Sequence, residues 1–297
     1  MGVEPQIRAF FDEPTNTVSY LVWDGDSKRG VAIDPVLDFD AAAGTVDDDS
    51  VEELLNAAVG EGVTIDWVLE THVHADHLSG APLIKQRTGA RVAIGEHVRD
   101  VQTIFRPIFG ADDIKAEGAD FDRLLKDSER LAVGGLDIEV IGTPGHTPAC
   151  VSYRIGNSVF VGDTLFMPDY GTARTDFPGG CARKLYRSIQ RLLSLPPQTR
   201  LFMCHDYKAP GRDHFAWETT VEQERLHNRH VHDGVTEDEF VQMREERDRT
   251  LATPRLLIPS IQVNMRAGRF PPADQHGVRY LRVPVRLKDG ANPQAIC

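Results

Sequence analysis

THVHADH (71–77) places His72, His74, Asp76 and His77 within six residues. It directly follows IDWVLET (65–71), an apolar run of strand length. A single histidine at a strand end is ordinarily a polar surface residue, and a single aspartate there is ordinarily a turn former. Such a cluster is not explained that way. Working outward, the same setting recurs three times. His146 follows LDIEVIGTPG (136–145), Asp163 closes SVFVGD (158–163), and His205 follows RLFMC (200–204) in the run CHDY. In a layered α/β fold, strand ends along one edge converge on a crevice. Loops at that edge display side chains on a rigid scaffold. Five histidines and two aspartates are therefore expected to meet.

Imidazole and carboxylate together suit zinc, iron or manganese, and no thiolate is expected at the site. Two arrangements are open from the residues alone. All seven side chains can fill two metal sites about 3.5–4 Å apart, or a subset can form a 2-His-1-carboxylate centre with open positions.

The rest of the chain supports an α/β class, because short apolar runs alternate with helical patterns. VSYLVW (18–23) and GVAIDP (30–35) read as a strand pair around a polar turn at 24–29. VEELLNAAVG (51–60) reads as a helix ended by Gly60, with Val51, Leu54, Leu55 and Ala58 on one face. RVAIG (91–95) and CVSYRI (150–155) are further strands, and 96–130 reads as a charged helix-and-loop stretch. ARKLYRSIQRLLSL (182–195) is a helix stopped by Pro196, with Leu185, Ile189, Leu192 and Leu193 facing the core. Residues 222–249 are rich in Glu, Arg and His and read as solvated helices, including HNRHVH (227–232). RYLRVPVRL (279–287) is weakly strand-like. The division is a core over 1–210 and a C-terminal helical and strand appendage over 211–297, packed on the same domain.

The 297 residues carry 33 Lys and Arg against 45 Asp and Glu, a net charge of −12, which argues against a nucleic-acid partner. No apolar stretch reaches the length of a membrane span, and the N-terminal residues do not read as a secretory signal. The four cysteines, Cys150, Cys181, Cys204 and Cys297, form no CxxC pair and read as packed thiols. A reduced, cytoplasmic location and no membrane partner are expected. Phosphate-cradling glycine motifs are missing.

HxHxDH, GTPGHT, GDTLF and CHDY in that order resemble the metallo-β-lactamase superfamily over about residues 7 to 210. That resemblance implies an αββα sandwich with metals at one edge. GTARTDFPGGCARKLYRSI (171–189) and PSIQVNMRAG (259–268) are similar to segments of the persulfide dioxygenases, including the bacterial β-lactamase-like hydrolase subgroup. The family oxidises glutathione persulfide with O2 to sulfite and glutathione, in sulfide detoxification, at a single Fe(II). Its ligands fall on His72, His146 and Asp163, which leaves His74, Asp76, His77 and His205 around them. Arg174, Tyr207 and Arg266, in that order, are the expected glutathione contacts, and a homodimer is the family expectation. The connection after GDT is longer than in mitochondrial members, and Ala267 stands where they carry cysteine. No fused rhodanese domain is expected.

The main alternative is a glyoxalase II-like thioesterase that hydrolyses S-lactoylglutathione and uses all seven residues on two Zn(II). A β-lactamase or lactonase has no specific support, and the long insertion of a β-CASP nuclease is missing. A non-catalytic metal-binding module is disfavoured by the intact ligand set.

Overall fold

The computed structural model describes residues 3–285. Among them, two six-stranded sheets stack face to face. The first runs in the order β1 (Gln6–Asp12), β2 (Thr17–Trp23), β3 (Arg29–Ile33), β6 (Thr64–Glu70), β8 (Arg91–Gly95), β9 (Arg123–Leu125). The second runs β10 (Arg130–Val133), β11 (Leu136–Gly142), β12 (Val151–Ile155), β13 (Ser158–Phe160), β14 (Arg200–Phe202), β15 (Glu218–Thr220). A small sheet joins β4 (Val36–Asp40) to β5 (Thr45–Asp47) and β7 (Leu78–Ser79). Helices cover both outer faces: α1 (Asp49–Glu61), α2 (Ala81–Thr88), α3 (Val98–Phe109) and α7 (Leu257–Asn264) on the first sheet, α4 (Ala182–Leu193), α5 (Val221–His227) and α6 (Glu237–Asp248) on the second. This is the αββα sandwich.

The alternation of side chains explains the layers. On β2, Val18, Tyr20 and Val22 point between the sheets, where they meet Ile138, Tyr153 and Phe160, while Leu21 and Trp23 point to the outer helices. On β6, Trp67 and Leu69 point inward and Ile65 and Val68 outward. Both faces are buried, so these strands read as continuous apolar runs. The α4 face Leu185, Ile189, Leu192 packs on Val159, Val161 and Leu201 of the other outer face.

The structure corrects several boundaries and readings. Helix α1 ends at the left-handed Gly62, not at Gly60, because the Gly62 amide closes the last turn onto Ala58 and Val59; Leu55 is only half-buried. Helix α4 stops at Leu193, two residues short of the expected end. The stretch 96–130 is not merely charged: α3 buries Val98, Val101, Phe105 and Phe109. The helices of 222–249 are not simply solvated, since Glu224, Asn228, His230, Phe240, Arg244 and Asp248 are buried. Residues 279–285 form no strand, and 286–287 lie outside the described residues. Cys150 and Cys204 are buried and Cys181 half-buried, whereas Cys297 lies outside the described residues. No described helix is long and apolar enough to cross a membrane. The residues after 211 pack on the second sheet through β15, α5 and α6 and on the first through α7.

Candidate metal centre

Strands β11, β13 and β14 run in one direction, with β12 antiparallel between the first two. The loops after their C-terminal ends, and the loop after β6, carry His146, Asp163, His205 and the 71–77 cluster. Two glycines let these loops meet. Gly162, at φ 55°, presses against Thr71, where a Cβ would lie 2.7 Å from the Thr71 side chain. Gly145, at φ 152°, lies against the α4 backbone, where a Cβ would come within 2.4 Å of Leu185.

All seven predicted metal-competent residues come together, and every one except Asp76 is buried. The donor atoms of His72, His146 and Asp163 lie within 4.8 Å of one another. His146 Nε2 is 3.5 Å, and His72 Nε2 4.0 Å, from Asp163 Oδ2. His72 Nε2 is buried with no hydrogen-bond partner, as are Asp163 Oδ1, His74 Nδ1, His77 Nε2 and His205 Nε2 beside it. Buried polar atoms are ordinarily satisfied, so this set fits a metal ion. Asp76, His77 and His205 do not form a set of their own. His74 joins Asp76 and His77 in one set, and Cys204 and His205 in another. His205 Nε2 lies 3.0 Å from Asp76 Oδ2 and 3.3 Å from Asp163 Oδ1.

Hydrogen bonds on the far ring nitrogens orient the imidazoles. His146 Nδ1–H donates to the Arg174 carbonyl at 2.7 Å, which leaves Nε2 as the lone pair facing Asp163. The Thr71 hydroxyl donates to Asp34 Oδ2 at 2.8 Å, so it accepts from His72 Nδ1–H at 3.0 Å. His205 Nδ1 reaches the Asn16 carbonyl at 3.2 Å.

Several contributors were not singled out from the sequence. Asp34, at the end of GVAIDP, also accepts from the Thr71 amide at 2.7 Å and meets His74 Nε2 at 2.9 Å; Glu70 Oε2 lies 3.5 Å from the same nitrogen. Burial alone would push the His74 pKa down, but the Asp34 carboxylate, with Glu70, outweighs it and raises it well above the usual imidazole range. Burial and the neighbouring rings lower the pKa of His72 and of His77 instead. Cys204 also stands here: its Sγ lies 3.7 Å from Asp34 Oδ2, within the set of His74 and His205. Burial raises its pKa, which keeps it a thiol. Asn264 of the NMRAG segment donates to the carbonyls of His74 (2.9 Å) and His77 (2.7 Å) and accepts from the Ser79 amide. The one cue for it was its place in a motif, since an apolar helix end gives no sign of a loop clamp.

The loop 171–175 is held from outside by residues after 227. Thr172 donates its amide to His230 Nδ1 at 3.1 Å, and Arg244 Nη1 donates to the Thr172 carbonyl at 3.1 Å. Asp248 Oδ2 accepts from the Thr175 amide at 2.8 Å. His230 is thus a buried acceptor, against the reading of HNRHVH as a solvated face, with burial and nearby arginines lowering its pKa to about 3.

A cavity of about 330 Å³ opens over His146, Asp163 and Asp76, walled by Phe166, Tyr170 and Phe177. Arg174 and Tyr207 line it. Arg266 does not: it is buried elsewhere, paired with Asp113 at 2.7 Å and bonded to the Gln262 carbonyl. Its place is structural, tying α7 to the loop after α3.

The metallo-beta-lactamase superfamily model matches residues 12–205. A probable metallo-hydrolase of Burkholderia pseudomallei is 51% identical over 94% of this chain and 98% of its own. "Glyoxylase B2" of Dictyostelium discoideum is 43% identical over 96% and 98%, and the mitochondrial persulfide dioxygenase ETHE1 of Bos taurus 29% over 92% of each. The crystal structure of ETHE1 from Myxococcus xanthus superposes with a TM-score of 0.71 at 31% identity, covering 89% of this chain and all of that one. Sandwich, edge site and ordered ligand motifs agree with these matches: the chain belongs to the metallo-β-lactamase superfamily, in the branch that includes the ETHE1 persulfide dioxygenases.

Proposed function

We propose that the protein is a persulfide dioxygenase, converting glutathione persulfide, O2 and water to glutathione, sulfite and protons at one Fe(II) held by His72, His146 and Asp163. The observation that carries this reading is the convergence of the His72, His146 and Asp163 donor atoms within 4.8 Å of one another. Two buried histidines and one buried carboxylate converge as a set, while Asp76 is already engaged by His205 Nε2 at 3.0 Å and His77 Nδ1 at 3.5 Å. That composition matches the 2-His-1-carboxylate type, which leaves open positions on the ion. Its similarity to ETHE1 proteins supports the same choice, and the names of the more similar relatives favour a hydrolase.

Fe(II) held by His72, His146 and Asp163 would supply the redox chemistry. The chain does the rest. Hydrogen bonds from His146 to the Arg174 carbonyl and from His72 to Thr71 present both Nε2 lone pairs to one point. The aromatic wall of Phe166, Tyr170 and Phe177 keeps bulk water from the reacting sulfur, and holding both reactants in one cavity replaces a bimolecular encounter. The volume suits a small thiol, near the lower end of ligand pockets, about 300–1,000 Å³. We propose a cytoplasmic site of action and no nucleic-acid or membrane partner, in keeping with the net charge of −12; a homodimer accords with the family.

The test is O2 consumption on adding glutathione persulfide, with sulfite and bound metal measured on the same sample. O2 uptake with matching sulfite supports the reading. No uptake, with two zincs bound and hydrolysis of S-lactoylglutathione, assigns the protein to the glyoxalase II-like thioesterases.

A further inference from the structure

The cavity over the metal centre runs against the charge of the chain. The protein as a whole carries −12, yet four arginines, Arg174, Arg244, Arg247 and Arg255, line this cavity. Its lining acids, Asp76 and Asp163, both belong to the metal centre. The four arginines differ in what they already hold. Arg174 grips Asp176 through Nε (2.6 Å) and Nη2 (2.7 Å), and its Nη1 donates to the Ala252 carbonyl at 2.8 Å. Arg244 is buried against Asp248 at 2.6 Å. Their charges are matched, and they serve to fasten α6 and the loop behind it. Arg247, half-buried in the last turn of α6, and Arg255, exposed where the following loop returns, have no ion pair among the described residues.

We infer that Arg247 and Arg255 form a carboxylate-binding rim that orients a thiol bearing two carboxylates, with its sulfur end toward His146 and Asp163. This deepens the dioxygenase reading and rests on it for the identity of the thiol. It moves carboxylate recognition from Arg174, whose three guanidinium nitrogens are engaged, to the two whose forks are free. A planar guanidinium meets a carboxylate through two parallel N–H bonds, and a pair of them lining one cavity suits a substrate that carries two carboxylates. The wall is made rigid for this: Arg174 holds Ala252, and the buried Leu256 anchors the loop just after Arg255.

The experiment is calorimetric titration of glutathione into the iron-loaded protein and its variants, beside steady-state kinetics with glutathione persulfide. Arg247→Gln and Arg255→Gln are each expected to weaken glutathione binding about tenfold and to raise KM in step. Arg130→Gln, which removes the same charge from a strand far from the cavity, is expected to bind glutathione as the wild type does. Glutathione diethyl ester, with both carboxylates masked, is expected to bind weakly and equally to all four proteins. Arg255 is exposed, so its substitution leaves the fold intact even if Arg247→Gln disturbs α6. Unchanged glutathione affinity in Arg255→Gln, wild-type protein that binds ester and acid alike, or no glutathione binding at all overturns the inference. Weakened binding in the variants together with no O2 uptake by the wild type retires the dioxygenase reading and leaves the rim in place.

Discussion

The loop 71–77 and the loop 171–175 both shape the metal centre, by opposite means. The first supplies donor side chains from inside the sandwich. His74 and His77 are fully buried, backed by Asp34 and Glu70, and Asn264 grips their carbonyls. The second supplies no donor. It offers the Arg174 carbonyl to His146 and is itself held by His230, Arg244 and Asp248 from the second outer layer. A metal centre therefore needs two kinds of residue: those that present lone pairs, and those that hold the backbone on which a ligand's far nitrogen leans.

Removing a donor should have the largest effect. His146→Ala and Asp163→Ala are each expected to abolish iron retention and O2 uptake, read by metal analysis of the purified proteins; full activity with iron retained in either refutes the ligand assignment. Next comes the clamp. Asp248→Ala leaves the buried Arg244 guanidinium uncompensated and frees the Thr175 amide, a loss of about 3–5 kcal/mol. It should lower Tm sharply and weaken iron binding while all three ligands remain. An unchanged Tm would show that loop 171–175 holds itself. Asn264→Ala is expected to cost less, about 1–3 kcal/mol, since it strands the Ser79 amide and two exchangeable carbonyl contacts.

The last effect is a pH slope. Glu224, behind the clamp, is buried, and burial pushes its carboxyl from 4.5 up to about 8, while Asn228 holds one oxygen at 2.6 Å and the charge of Asp169 adds to the shift. The folded chain thus keeps a proton that the unfolded chain has released. This contribution is complete below about pH 4.5 and is lost as pH rises toward about 8. Glu224→Gln should flatten that decline, so that its Tm exceeds the wild type's near pH 8, the difference vanishing toward acid in thermal unfolding scans. Parallel curves for the two proteins would place the carboxyl in water.

The two loops were unequally legible. HxHxDH, GTPGHT, GDTLF and CHDY declare themselves because histidine and aspartate at the ends of apolar runs have few packing reasons to be there. Those same runs, buried on both faces, announced the sheets. The segment 222–249 was read as solvated because composition does not distinguish a charge facing water from one paired inside: Arg244 and Asp248 lie one helical turn apart and satisfy each other and the loop together. Asp34 was hidden at the end of a strand, its role visible only once Thr71 and His74 were folded against it. Cys204 is the buried thiol that its sequence suggests, and it lies beside His74. Arg266 misled for the converse reason, since an arginine in a motif gave no sign of Asp113, which is distant in sequence and adjacent in the fold.

The central claim is that His72, His146 and Asp163 hold one catalytic iron. Anaerobic titration of the metal-free protein with Fe(II), with persulfide-dependent O2 uptake measured after each addition, tests it most directly. Activity should rise linearly and level at about one iron per chain. A plateau at two metals per chain, or no O2 uptake with iron and S-lactoylglutathione hydrolysis with two zincs, would contradict it and make Asp76, His77 and His205 ligands.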